Sequence, residues 1–152
     1  MDSRELLAAV TAASERDEVV HAVHALYDSL QSQIDQRRPL CQISGRCCRF
    51  DEFGHRLYVT TMELAAFIHD RPAPVPASDG KGCPFQISKL CSVHAIRPMG
   101  CRLFFCDASA AEWQEQQYEI FHARLKRLHE SLQVPYAYLE WRIALAAFAE
   151  EK

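Results

Sequence analysis

Seven residues of this chain stand out for chemistry by type and spacing: Cys41, Cys47, Cys48, Cys83, Cys91, Cys101 and Cys106. Thiolates bind zinc tetrahedrally or hold iron–sulfur clusters, and both arrangements gather about four ligands from loops and helix starts. Cys47 and Cys48 are adjacent, which suits neither of the bland uses of cysteine. Successive side chains on an extended chain point to opposite faces, so both cannot enter one core. A disulfide between neighbours closes a strained ring. No cysteine precedes Cys41 or follows Cys106, whereas core-filling thiols would be spread along the chain. The odd number counts against a closed disulfide framework, and in a reducing compartment dense cysteines point to metal binding or catalysis. The short steps from Cys41 to Cys47 or Cys48, and from Cys101 to Cys106, let neighbours share a site. The vicinal pair reaches one metal only where the backbone bends sharply. Spacing leaves the metal open. It also leaves open a thiol sensor built on Cys47 and Cys48, which would form a reversible disulfide without bound metal.

The order of these elements is similar to that of the YkgJ-like cysteine-cluster family of zinc- or iron-chelating proteins. That family opens with CxxCxxCC, matched here by Cys41, Cys47 and Cys48. It continues through a Cys-Pro-Phe element, matched by Cys83, Pro84 and Phe85. It ends with a CS-x-Y-x-x-RP-x-x-CR-x-F-x-C element, matched by Cys91, Ser92, Arg97, Pro98, Cys101, Arg102, Phe104 and Cys106. Glu63 stands where the family has a glutamate in the intervening helix. The resemblance covers residues 41 to 106. It implies that the seven cysteines are metal ligands. Two positions depart from it: Ser44 replaces one family cysteine, and His94 replaces the usual tyrosine. A site that needed the missing sulfur is lost or recruits water or His94. Flagellin lysine methylases linked to an iron–sulfur cluster are among proteins that resemble this family.

Cys83-Pro84 has the form of the Cys-Pro step that closes bacterial ferredoxin motifs, and Phe85, Phe104 and Phe105 could shield a cluster from solvent. These features tilt the expected cofactor towards a 4Fe-4S cluster, with Zn2+ close behind. Arg97 and Arg102 are expected to donate hydrogen bonds to the thiolates and offset their charge. His55 and His69 read as ordinary surface residues. Glu18-x-x-His21 and Glu119-x-x-His122 have the spacing of di-iron carboxylate sites. That architecture needs a glutamate from each of two further helices, and the two pairs read as exposed helix residues.

The elements that must position the cysteines are mainly helical. Val19, Val20, Val23, Leu26, Tyr27, Leu30 and Ile34 recur on one face of a helix over 15–38, ended by Arg37, Arg38 and Pro39. A shorter helix over SRELLAAVTAA precedes it. HRLYVT (55–60) is the best strand, paired with CRF through a turn at DEFG. Thr60 and Glu63 form a capping-box signature that opens a helix over MELAAFIHD. RPAPVPASDGKG (71–82) is a loop. A further helix follows Ser109, with Phe121, Leu125, Leu128 and Leu132 on one face. Pro135 separates it from a last helix, YAYLEWRIALAAFAEE. Trp113 and Trp141 read as core. The expected fold is mainly α, with helices flanking an irregular cysteine-rich metal-binding centre and at most a small β-hairpin. One domain is expected over 1–152: an N-terminal helical segment at 1–38, the cysteine core at 41–106 and C-terminal helices at 109–150.

Composition bounds the function. A chain of 152 residues, 49% hydrophobic and 24% charged, can bury an ordinary core. A net charge of -3 argues against a broad nucleic-acid surface. The acid at position 2 and the short apolar stretch of MDSRELLAAV do not make a secretory leader. No apolar run is long enough to span a bilayer. A cytoplasmic metal-binding protein is expected, acting with a redox or substrate protein as partner. It would transfer electrons or support the partner's chemistry. A structural zinc module without catalysis is the alternative. No glycine-rich nucleotide fingerprint supports a methylase within this one domain.

Overall fold

The protein is described by a computed structural model, which covers residues 1–37, 57–71, 75, 83–87, 90–91, 94–103 and 108–148. Helix α1 (Ser3–Ser14) begins where the Asp2 side chain accepts from Glu5 N–H at 2.8 Å and Glu5 returns the bond to Asp2 N–H. This reciprocal cap satisfies two amides that the helix itself leaves unpaired. Helix α2 (Asp17–Arg37) buries the seven residues that the periodicity selects, from Val19 to Ile34. Each large aliphatic side chain so buried contributes about 1.5–3 kcal/mol. At the junction of the two helices Arg16 donates to the Leu132 carbonyl at 2.9 Å, tying it to the far end of the chain.

Strand β1 (Tyr58–Thr60) leads directly into α3 (Thr61–Asp70) through the expected capping box of Thr60 and Glu63. The CRF segment and the turn at DEFG lie outside the described residues. Among those described, β1 pairs antiparallel with β4 (Tyr138–Glu140), placing Tyr58 opposite Glu140 and Thr60 opposite Tyr138. The expectation of a continuous helix from Tyr136 is therefore corrected. Ala137 N–H donates to Thr61 Oγ1 and the Ala137 carbonyl accepts from Thr61 N–H, while Tyr138 stacks on Tyr58 across the sheet. Helix begins only at α6 (Trp141–Ala146), where Glu140 accepts from Ile143 N–H at 3.0 Å and caps it.

The cysteine-rich middle adds a two-stranded hairpin, β2 (Gln86–Ile87) with β3 (Leu90–Cys91). A 3-10 turn at His94–Ile96 and the one-turn helix α4 (Met99–Arg102) follow. Helix α5 (Ala111–Ser131) buries Phe121, Leu125 and His129 against the frame. It closes with Gln133 in the left-handed conformation, φ 55°. There Val134 N–H returns to His129 O and Gln133 N–H to Glu130 O, a paired closure that usually employs glycine. Helices α1, α2 and α3 pack together, and α5 covers α2. One core runs through all of them to Trp141 and the cysteine elements. Among the described residues, no helix is long and apolar enough to cross a membrane.

Candidate metal centre

Cys83 opens the Cys-Pro-Phe element and is buried. Its Sγ accepts a hydrogen bond from the indole Nε1–H of Trp141 at 3.3 Å, a contact between residues 58 apart in sequence. Trp141 is 1% exposed. Its backbone N–H donates to the Leu57 carbonyl at 2.8 Å, which continues the β1–β4 ladder and fixes the residue from below. Phe67 of α3 meets both the Trp141 ring, at 4.9 Å, and the Phe85 ring, at 5.1 Å, edge to face. Cys83 thus sits beside an aromatic wall that carries one N–H donor.

The β2–β3 hairpin sets Cys91 opposite Gln86, which brings the chain back beside the Cys-Pro-Phe element. Cys101 lies in α4 and is also buried. Pro98 supplies the extended residue before this short helix, and Cys101 N–H closes onto the Pro98 carbonyl at 3.1 Å. The next anchor comes from α3. Glu63 Oε1 accepts from Met99 N–H at 2.8 Å and from the Tyr27 hydroxyl at 3.2 Å, while its Oε2 accepts from Thr60 N–H at 3.0 Å. One buried carboxylate therefore registers α2, α3 and the start of α4. Burial pushes the Glu63 carboxyl above its ordinary range, and the Met99 and Thr60 amides pull it back down. Burial, and then the Glu63 charge, push the Tyr27 phenol well up, so it stays a donor.

Gly100 packs closely against Leu57. A Cβ at this position would stand 2.4 Å from Leu57 Cδ1. Leu57 is thus linked to both cysteine elements: its side chain lies against the residue before Cys101, and its carbonyl holds the tryptophan that bonds to Cys83.

Arg102 is half-buried. Its Nε donates to the Arg97 carbonyl at 2.6 Å and its Nη2 to the Ala95 carbonyl at 3.1 Å. The guanidinium also lies over the Tyr27 ring at 4.3 Å. Burial lowers its pKa, and the Tyr27 and Cys101 groups oppose that shift. These bonds fold the 95–102 segment around the arginine. Arg97 is half-buried and lends its carbonyl to that fold. Arg102 also lines a cleft of about 420 Å3, together with Tyr27, Phe67, Asp70 and Ile96. His24 lines it too, and its Nε2 lies 2.5 Å from Asp70 Oδ2.

Cys41, Cys47, Cys48 and Cys106 lie outside the described residues, as do Ser44, His55, Ser92, Phe104 and Phe105. Among the described residues, no three histidine, cysteine or carboxylate groups gather at metal-binding distance. His94 begins the 3-10 turn, and His69 is exposed. Among the described residues, the two Glu-x-x-His pairs are not part of a carboxylate cluster. Glu18 and His21 are exposed on α2, and His122 bonds to the Tyr136 hydroxyl.

Two partners escape a reading of residue types. Trp141 is core, as expected, yet a buried indole N–H needs an acceptor, and that requirement was the available signal. His129 is the second. Buried in α5, it donates from Nδ1 to the Leu125 carbonyl and accepts from Met62 N–H at Nε2, 3.1 Å away. Burial lowers its pKa, against the pull of the Leu125 bond, and keeps the ring neutral. No protein-family model matches this chain, and neither a curated protein nor a solved structure is found that is similar to it.

Proposed function

We propose that this protein binds metal through its clustered cysteines, Cys41, Cys47, Cys48, Cys83, Cys91, Cys101 and Cys106, which hold an iron–sulfur cluster or zinc. The observation that carries the reading is the indole N–H directed at the Cys83 sulfur within a buried aromatic wall. Metal-bound thiolates are commonly held by such donors, which orient the ligand and temper its charge. Further support comes from Leu57, which lies against the element of Cys101 and holds the partner of Cys83. Bound iron–sulfur would supply one-electron chemistry, with a redox or substrate protein as partner. Residues Glu63, Trp141 and Arg102 hold the ligand-bearing segments, and the aromatic rings exclude water.

A structural zinc module is the second reading. It is favoured by the ties that converge on the short α4 from α2, α3 and Leu57. Anaerobic purification with iron, sulfide and zinc measured per chain separates the two. Brown protein with matched iron and sulfide, lost in Cys101→Ser, supports the redox form. Colourless protein with stoichiometric zinc supports the module. Wild-type protein that holds neither metal, even without oxygen, overturns the proposal.

A further inference from the structure

The Trp141 indole is held from three sides that have nothing to do with the sulfur. Its backbone amide belongs to the β1–β4 ladder, its residue opens α6 behind the Glu140 cap, and Phe67 packs edge-on against its ring. The ring position is thus set by the frame, and Cys83 Sγ lies where the N–H points. At 1% exposure the indole has almost no access to water. A neutral thiol is a weak acceptor for such a donor, whereas a thiolate or metal-bound sulfur is a strong one. A buried donor that faces only a weak acceptor leaves much of its desolvation cost standing.

We infer that Trp141 is a positioning residue for the metal centre: its indole N–H orients the Cys83 sulfur as a ligand and withdraws charge from it. The inference rests on the metal-binding reading above. It assigns chemistry to a tryptophan that would otherwise count only as core. Removing the N–H while keeping an aromatic ring should weaken metal binding by roughly ten- to hundredfold, the usual effect of losing a ligand's hydrogen-bond partner.

The test is titration of the full chain with Co2+ alone, under argon after removal of bound metal, read by thiolate-to-cobalt absorption. Trp141→Phe is compared with Phe67→Leu, which disturbs the same aromatic contact but leaves the N–H in place. The expected result is weaker Co2+ binding and a shifted absorption band in Trp141→Phe, with Phe67→Leu close to wild type. Equal weakening in both variants would mean that packing alone matters and would overturn the inference. So would a Trp141→Phe chain that binds Co2+ like wild type, although the metal-binding reading would then stand. If wild type gives no thiolate band the inference falls, and the reading falls with it where the chain purified without oxygen also holds neither iron nor zinc. Should Trp141→Phe not fold, the unaltered chain decides: Zn2+ must shift the Trp141 indole Nε1–H resonance, and an unmoved resonance in a zinc-loaded chain overturns the inference.

Discussion

Two buried hydrogen-bond centres lie close in the fold and differ in what they hold. At the start of α3 the partners are oxygen and nitrogen. Thr61 N–H goes to the Ala137 carbonyl, Met62 N–H to His129 and Glu63 N–H to Thr60 Oγ1. Glu63 then takes up amides from two further places. Every one of these bonds satisfies a backbone donor that a helix start or turn leaves open, so the centre is architecture. At Cys83 the donor is a side chain and the acceptor is a sulfur. No backbone group depends on that bond. Its consequence lies in the chemistry of the sulfur: one region builds the frame, and under the proposed metal binding the other serves the site.

The largest break in this comparison should come from Glu63→Ala. It strands Thr60 N–H, Met99 N–H and the Tyr27 hydroxyl in a buried place, at a cost of about 3–5 kcal/mol in urea unfolding. A loss under 1 kcal/mol would deny Glu63 its architectural role. His129→Ala should cost about 2–4 kcal/mol, through the orphaned Met62 N–H and the space left behind.

The same two residues predict opposite responses to acid. The folded state depresses the pKa of His129, so its contribution is full above about pH 6.5 and is lost as pH falls through the folded value. Glu63 is shifted the other way. Folding raises its pKa, so its effect on stability is most favourable below about pH 4.5 and declines as pH rises through the folded value. His129→Gln should therefore flatten the loss of stability on mild acidification, and Glu63→Gln should steepen it. Parallel slopes for the two variants would contradict the assignment.

Smaller effects sharpen the picture. Gly100→Ala pushes a Cβ against Leu57 Cδ1, so the buried leucine tip must turn aside, and it should cost about 1 kcal/mol. Because Gly100 lies beside Cys101, metal affinity is expected to fall with stability in this variant. Gln133→Gly relieves a left-handed residue and should raise stability by about 0.5–1 kcal/mol without altering metal content.

The chain announces some of this and hides the rest for physical reasons. The stripe from Val19 to Ile34 is legible because seven apolar positions repeat at helical spacing over 21 residues. The Thr60–Glu63 cap is legible because it is local. Tyr138–Glu140 is not, since three residues are too few to show alternation and its partner strand lies far away in sequence. Cysteine type and clustering point to a metal before any fold is known. The Trp141 donor does not announce itself, because no local pattern links it to Cys83. Glu63 is legible as a cap, while its reach to Tyr27 and Met99 emerges only from tertiary packing.

The most direct test of the central claim is X-ray absorption at the edge of whichever metal accompanies the protein purified without oxygen. A shell of sulfur neighbours at roughly 2.3 Å, reduced in Cys83→Ser and Cys101→Ser, is the predicted result. A shell of oxygen and nitrogen alone, unchanged by either substitution, would contradict it.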